Sequence, residues 1–92
     1  MDLVVTEDPA AHRFELRRGG EQVGHASYTV EGDTVVIDHV QTAPQHRGNG
    51  FAAALMAGLL DQLRDSGRTV VPVCSYAVAY IRDNAGQQDL LA

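Results

Sequence analysis

The chain has 92 residues, 45% of them hydrophobic, and a formal net charge of −5. That length fits one small domain, residues 1–92, burying roughly 60–65% of its unfolded surface. The negative balance excludes a general nucleic-acid binder and a binder of anionic membranes, both of which need basic patches. All seven basic residues are arginines. Cys74 is the only cysteine, which rules out an internal disulfide and a multi-cysteine zinc site. A reduced, cytoplasmic setting is therefore expected. The acidic start, Met1 to Asp8, is not a signal peptide. The longest apolar run, about ten residues, is too short to span a membrane.

In chain order, Leu3 to Val5 reads as a short strand or a loose start, broken by Asp8-Pro9. Arg13-Phe14-Glu15-Leu16-Arg17 alternates polar and apolar, the mark of a half-buried strand. Gly19-Gly20 signals a tight turn. Gln22 to Val30 returns, with Val23, Ala26, Tyr28 and Val30 as its apolar side. The alternation slips near Gly24-His25, where a bulge is expected. After a turn at Glu31-Gly32-Asp33, Thr34 to Thr42 forms a third strand. Val35, Val36 and Ile37 make it apolar on both faces, as in an inner strand covered on both sides.

Ala52, Leu55, Met56, Leu59, Leu60 and Leu63 then fall on a single helical stripe. Gly58 interrupts this helix at a cost of roughly 1 kcal/mol against alanine, which marks close packing. Ser66-Gly67 ends it. Thr69 to Cys74 is the next strand, placed parallel to Thr34–Thr42 by a right-handed crossover. Tyr76 to Asn84 reads as a second, short helix with Ala77, Tyr80 and Ile81 inward. The fold class is α/β with α+β character: a mixed sheet of four to five strands, antiparallel at its N-terminal part, with one β-α-β crossover. Pro72 has no N–H to complete a ladder, so the two parallel strands are expected to open beside it.

The crossover enters its helix through a glycine-rich turn. Strand, turn and helix N-terminus aim several N–H groups at one point, which suits a phosphate or pyrophosphate. Gly48-Asn49-Gly50-Phe51-Ala52-Ala53 formally matches the dinucleotide fingerprint. That reading is rejected: the chain is too short for a doubly wound sheet, antiparallel strands come first, and Cys74-Ser75 stands where the ribose needs an acid. A P-loop needs Gly-Lys-Ser/Thr, which is absent.

Arg47-Gly48-Asn49-Gly50-Phe51-Ala52 is also Arg-x-x-Gly-x-Ala after a strand and a proline. It resembles the acyl-CoA-binding motif of the GNAT superfamily of N-acetyltransferases. Asp38-His39, Val71-Pro72-Val73-Cys74-Ser75-Tyr76 and Tyr80-Ile81 extend the likeness to a subfamily of very short, single-domain members, over roughly residues 12–84. The chain departs from that subfamily at Cys74-Ser75-Tyr76, where many members carry Cys-Pro-Phe.

The resemblance implies an acetyl-CoA-dependent N-acetyltransferase that uses acetyl-CoA as substrate and releases coenzyme A. Main-chain amides of Arg47, Gly48, Asn49, Gly50, Phe51 and Ala52 would hold the pyrophosphate. Val40, Gln41 and Thr42 would bond the pantetheine arm through main-chain groups, and Tyr76 would complete the cofactor contacts. The resemblance also marks His39 as a base, with water as the alternative. It marks Tyr80 or Cys74 as the acid that protonates the sulfur, and a main-chain N–H near Val40 or Gln41 as the oxyanion donor. A rival route passes through an acetylated Cys74. Each catalytic side chain also has a structural alternative: a buried inert thiol, a strand histidine and a half-core tyrosine.

The acceptor amine is unspecified, no metal site is expected, and a monomer or weak dimer is expected. A non-catalytic acyl-CoA-binding or sensing module is the alternative function. Convergence of His39, Cys74 and Tyr80 on the thioester would discriminate the two. A protein-interaction domain using the fold alone leaves the glycine turn without a role.

Overall fold

The computed structural model describes residues 2–92. Four strands run as an antiparallel meander: β1 (Leu3–Asp8), β2 (Arg13–Arg18), β3 (Glu21–Glu31) and β4 (Thr34–Thr42). Helix α1 (Phe51–Asp65) then crosses over to β5 (Thr69–Pro72), which pairs with β4 in parallel. Helix α2 (Ser75–Asp83) and a 3-10 segment, Ala85–Leu90, finish the fold. The result is a mixed five-stranded sheet in sequence order, antiparallel at its N-terminal part, as the sequence predicts.

Residues directly opposed in a ladder share a face of the sheet. Phe14, Ala26 and Val40 form one such row, and Leu16, Gly24 and Thr42 another. This face lies under the α1 stripe, where Leu55, Met56, Leu59, Leu60 and Leu63 are fully buried with Phe14, Leu16 and Ile37. Each such side chain contributes roughly 1.5–3 kcal/mol of hydrophobic stabilisation. Gly58 lets α1 approach β1: a Cβ there would lie 2.3 Å from Val5 Cγ2. Glu7 ties the same corner, accepting from the two terminal guanidinium nitrogens of Arg68 (3.0 and 2.9 Å) and from the Tyr28 hydroxyl (2.6 Å).

The opposite face carries the rows Asp8, Arg13, Ser27, His39 and Thr6, Glu15, His25, Gln41. No described helix covers it as α1 covers the first face, and Val36 is therefore half-buried instead of fully enclosed. Val30 is also exposed, contrary to its expected place on the apolar side. It shares a face with buried Val35, but β2 begins opposite Ser27, so β3 beyond Tyr28 has no neighbour there.

Both hairpins of β3 carry an irregularity. Val23 is the extra residue between the Leu16/Gly24 and Arg17/Gln22 pairs, one position before the expected slip at Gly24-His25. Asp38 is the extra residue between Tyr28/Ile37 and Ser27/His39. Strand β5 ends at Pro72, two residues earlier than the expected Cys74. Its outer edge meets the C-terminus: Leu91 bridges Val70, and the Ala92 N–H donates to the Val70 carbonyl.

Candidate functional site

The β4–β5 ladder stops at the Ile37/Pro72 pair. One acceptor then closes it: the Ile37 carbonyl takes hydrogen bonds from both the Val73 and Cys74 N–H groups (3.0 and 3.2 Å). The strands part beyond this pair, where the sequence places the opening, but not through the missing proline donor: Thr69 and Val73 donate to the Asp33 and Ile37 carbonyls, so the Pro72 nitrogen between them faces the outer edge. Strand β4 continues alone through Thr42. Since the Ala43 N–H bonds the Val23 carbonyl, ladder alternation directs Gln41 and His39 to β3 as well. Val40 and Thr42 turn their main-chain groups to the opened side. Of the two expected oxyanion donors, Val40 therefore has the N–H that faces the gap.

Beyond β4, Pro44–His46 makes one 3-10 turn, and Gly48 and Gly50 take left-handed φ values of +84° and +73°. Nothing lies within 4 Å of a Cβ built on either glycine, so conformation, not crowding, requires them. The first α1 bond is Ala54 N–H to the Gly50 carbonyl, and no side chain caps the helix. The amides just before Ala54 form the unsatisfied set expected at a helix N-terminus, with the positive end of the helix dipole behind them, but the Arg47 N–H, expected to join them, donates instead to the Pro44 carbonyl at 3.4 Å.

Side chains fix the turn from behind. His46 is 9% exposed, lies 3.2 Å from a Glu21 carboxylate oxygen and packs on the Phe51 ring. The Arg18 guanidinium stands 5.1 Å above that ring, and the Asn49 amide donates to the His46 carbonyl. The β2–β3 hairpin thereby buttresses the turn, a relation across the sheet that no local spacing announces.

Cys74 occupies the N-cap of α2 and is half-buried against the core. Helix α2 starts at Ser75, so the absence of Pro-Phe after the cysteine does not displace it. Tyr80 also packs on the core side, with its ring 6.4 Å from that of Tyr76. Burial, and the neighbouring Tyr80, push the Tyr76 phenol upward. His39 is exposed and shares a row with Ser27 on the other face. The fold thus gathers Cys74, Tyr80 and Val40 on the core side and sets His39 across the strand opening from them.

A pocket of about 550 Å³ lies at the end of β4, where β3 residues Gln22 and His25 meet Val40, Gln41, Thr42 and Arg47, four of the residues expected to hold the cofactor. Desolvation holds the His25 imidazole below its ordinary value; Arg13 and His39 act in the same sense and Glu15 against it. The sequence singled out His25 at an expected bulge and not as a site residue, and its place in the pocket follows from the β3 register.

A family model described as GCN5-related N-acetyl-transferase matches residues 13–90. The chain belongs to that family. Solved structures share its fold. A GCN5-like protein from Staphylococcus aureus, solved by NMR, is 17% identical, with 98% of this chain and 88% of that one covered and a TM-score of 0.73. The ribosomal-protein-S18-alanine N-acetyltransferase of Escherichia coli is 21% identical over 77% of this chain, with a TM-score of 0.64. N-acetylglutamate synthase of Neisseria gonorrhoeae, complexed with coenzyme A and N-acetyl-glutamate, is 14% identical over 95% of this chain, with a TM-score of 0.61. This family member spans 49% of the Escherichia coli chain and 26% of the Neisseria chain. A search of curated proteins found no match. No helix among the described residues is long and apolar enough to cross a membrane.

Proposed function

We propose that this family member binds acetyl-CoA along the β4–β5 opening and transfers its acetyl group to an amine. The observation that carries this reading is the pair of open main-chain sets at the two ends of one turn, at Val40 and Thr42 and at the amides just before Ala54. A pantetheine arm has amides that add to β4 as a strand would, and a pyrophosphate has the charge for the α1 N-terminus. The main chains of Val40 and Thr42, with the side of β4 at Gln41, hold the arm. The amides of Gly48, Asn49, Gly50, Phe51 and Ala52 hold the pyrophosphate, and Tyr76 completes the cofactor contacts.

In the transfer, the neutral amine attacks the thioester carbonyl, the N–C bond forms and the C–S bond breaks. The Val40 N–H stabilises the oxyanion. Tyr80 or Cys74 returns a proton to the departing sulfur, and His39 or water takes the amine proton from the opposite side of the opening. The placement of His39 away from Cys74 and Tyr80 favours a second reading, a non-catalytic acyl-CoA-binding module, if the proton cannot cross.

Thermal denaturation with millimolar acetyl-CoA or CoA tests the first requirement. Ligand binding to the native state raises the melting temperature by mass action. No rise would refute binding and both readings with it. A rise without acetylation of any amine in a broad panel would select the second.

A further inference from the structure

The face of the sheet that α1 leaves uncovered is polar over β2 and β3 and turns apolar beside the opening. Val36 and Val71 are partners in the β4–β5 ladder and share that face. Val36 is half-buried and Val71 is 37% exposed. Burial alternates from there: Pro72 and Cys74 are half-buried, Cys74 against the core, and Val73 between them is 58% exposed, outward like Val71. The three valines form a shelf. Thr34 and Thr69 close its far end with their hydroxyls 2.9 Å apart, and Thr29, opposite Val36, forms its β3 margin. The rows of Val36 and Thr34 contain no arginine, and their one carboxylate is Glu31, beside Thr34 at the far end. At the near end stand the opening, the half-buried Asp38 and the exposed His39, about 10 Å along the strand from Val36. None of the three valines borders the pocket at the end of β4, and none is among the residues that hold the cofactor in the proposed function.

We propose that this shelf receives the acceptor, and that the acceptor is a small amine carrying an apolar group, branched aliphatic or aromatic, which lies on Val36, Val71 and Val73 with its nitrogen at the opening. The assignment rests on the acetyl-transfer reading. In that reading the Val40 N–H, Cys74 and Tyr80 meet the thioester from the core side, and His39 takes the amine proton from the other. The amine therefore comes to the opening over the face that His39 occupies, and the side chains that flank it on the β5 side are the three valines. An apolar group laid on them removes methyl surface from water on both partners. A polyamine would bring further positive charge over the valines, with only Glu31 beyond the threonine pair to meet it. An amine carrying a carboxylate would find no arginine beside them.

Nitrogen-15 NMR titrations of the whole chain with CoA present test this with three acetylated amines: N-acetylphenethylamine, N-acetylethanolamine and cationic N-acetylputrescine. The reporters are the amides of Thr29, Val36, Val71 and Val73, which lie outside the pocket at the end of β4. N-acetylphenethylamine is expected to shift them to saturation, and N-acetylethanolamine to bind about tenfold more weakly, the low end of what a methylene supplies in an apolar site. The double variant Val71→Thr with Val73→Thr keeps the side-chain shape at two exposed positions and is expected to cut that preference to about threefold or less. Val30→Thr, exposed on the α1 side of the sheet, is expected to leave it unchanged. An acetylation assay with phenethylamine and ethanolamine, which are of similar basicity, is expected to give the same order in kcat/KM. N-acetylethanolamine or N-acetylputrescine binding as tightly as N-acetylphenethylamine, shifts confined to Gln22 and His25, or a preference unchanged in the double variant would overturn the assignment. If CoA binds and no probe moves the reporters, the shelf assignment alone fails. If CoA does not bind, or no amine is acetylated, the acetyl-transfer reading and the acceptor role fail together.

Discussion

Gly50 is where the cofactor reading meets its most direct test, through a pair of variants of equal shape. Gly50→Asn and Gly50→Asp both impose a side chain at φ +73°, in space that is open within 4 Å. Asn and Asp tolerate left-handed backbone better than other side chains, and each variant is expected to lose about 1 kcal/mol of stability. The two differ only in charge. A carboxylate about 5 Å from a pyrophosphate, at an effective dielectric of about 20–40, repels each unit of phosphate charge by ~2–3 kcal/mol. CoA is therefore expected to bind Gly50→Asp about 30- to 150-fold more weakly than Gly50→Asn at low salt. Screening narrows that gap as salt is raised. Isothermal titration of both variants at two salt concentrations, after circular dichroism shows both folded, gives the numbers. Equal dissociation constants for the two would mean that no phosphate sits at this turn, and the cofactor reading would fail.

His39→Ala is expected to keep CoA affinity and most of its stability, because His39 is exposed, while losing acetyl transfer; a parallel loss of stability and activity would make His39 structural. Incubation with acetyl-CoA without an amine, followed by intact-mass measurement, is expected to give no stable adduct of about 42 Da, and Cys74→Ser to keep part of the activity. An adduct that disappears in Cys74→Ser and is discharged by an amine would establish the covalent route instead. The Glu7 carboxyl is held below its ordinary value by Arg68 first, with Tyr28 adding and burial opposing. Its stabilisation is therefore complete above the unfolded-state value and is lost as pH falls through the lowered folded value. Urea midpoints measured from neutral pH to pH 3 are expected to decline less steeply in Glu7→Gln, and identical slopes would exclude Glu7 as a source of acid sensitivity.

Most of the scaffold was legible because it is written locally. The α1 stripe has helical period, the hairpin strands alternate, Gly48 and Gly50 sit at the two left-handed positions, and Pro72 marks the parting of the strands. What was not legible depends on partners distant in sequence. Val36 looks like a residue of a two-sided strand, yet nothing in its neighbours tells that the helices gather on one face. Val30 alternates correctly and is exposed because β2 stops short of it. The extra residue at Asp38 resets the alternation of β4, which places His39 and Cys74 on different sides of the opening despite their shared level. The pocket was legible only on its β4 side, at Val40, Gln41, Thr42 and Arg47; Gln22 and His25 join it through the β3–β4 register.

The double use of the Ile37 carbonyl has a kinetic consequence. With the Val73 and Cys74 N–H groups both already spent on that one carbonyl, a ligand entering the gap beyond it breaks no ladder bond. Association then needs no slow strand-opening step: the on-rate should rise linearly with CoA concentration without reaching a plateau. Hydrogen exchange at Thr69 and Val73, whose amides donate to the Asp33 and Ile37 carbonyls, should be governed by global unfolding, not by a local gate.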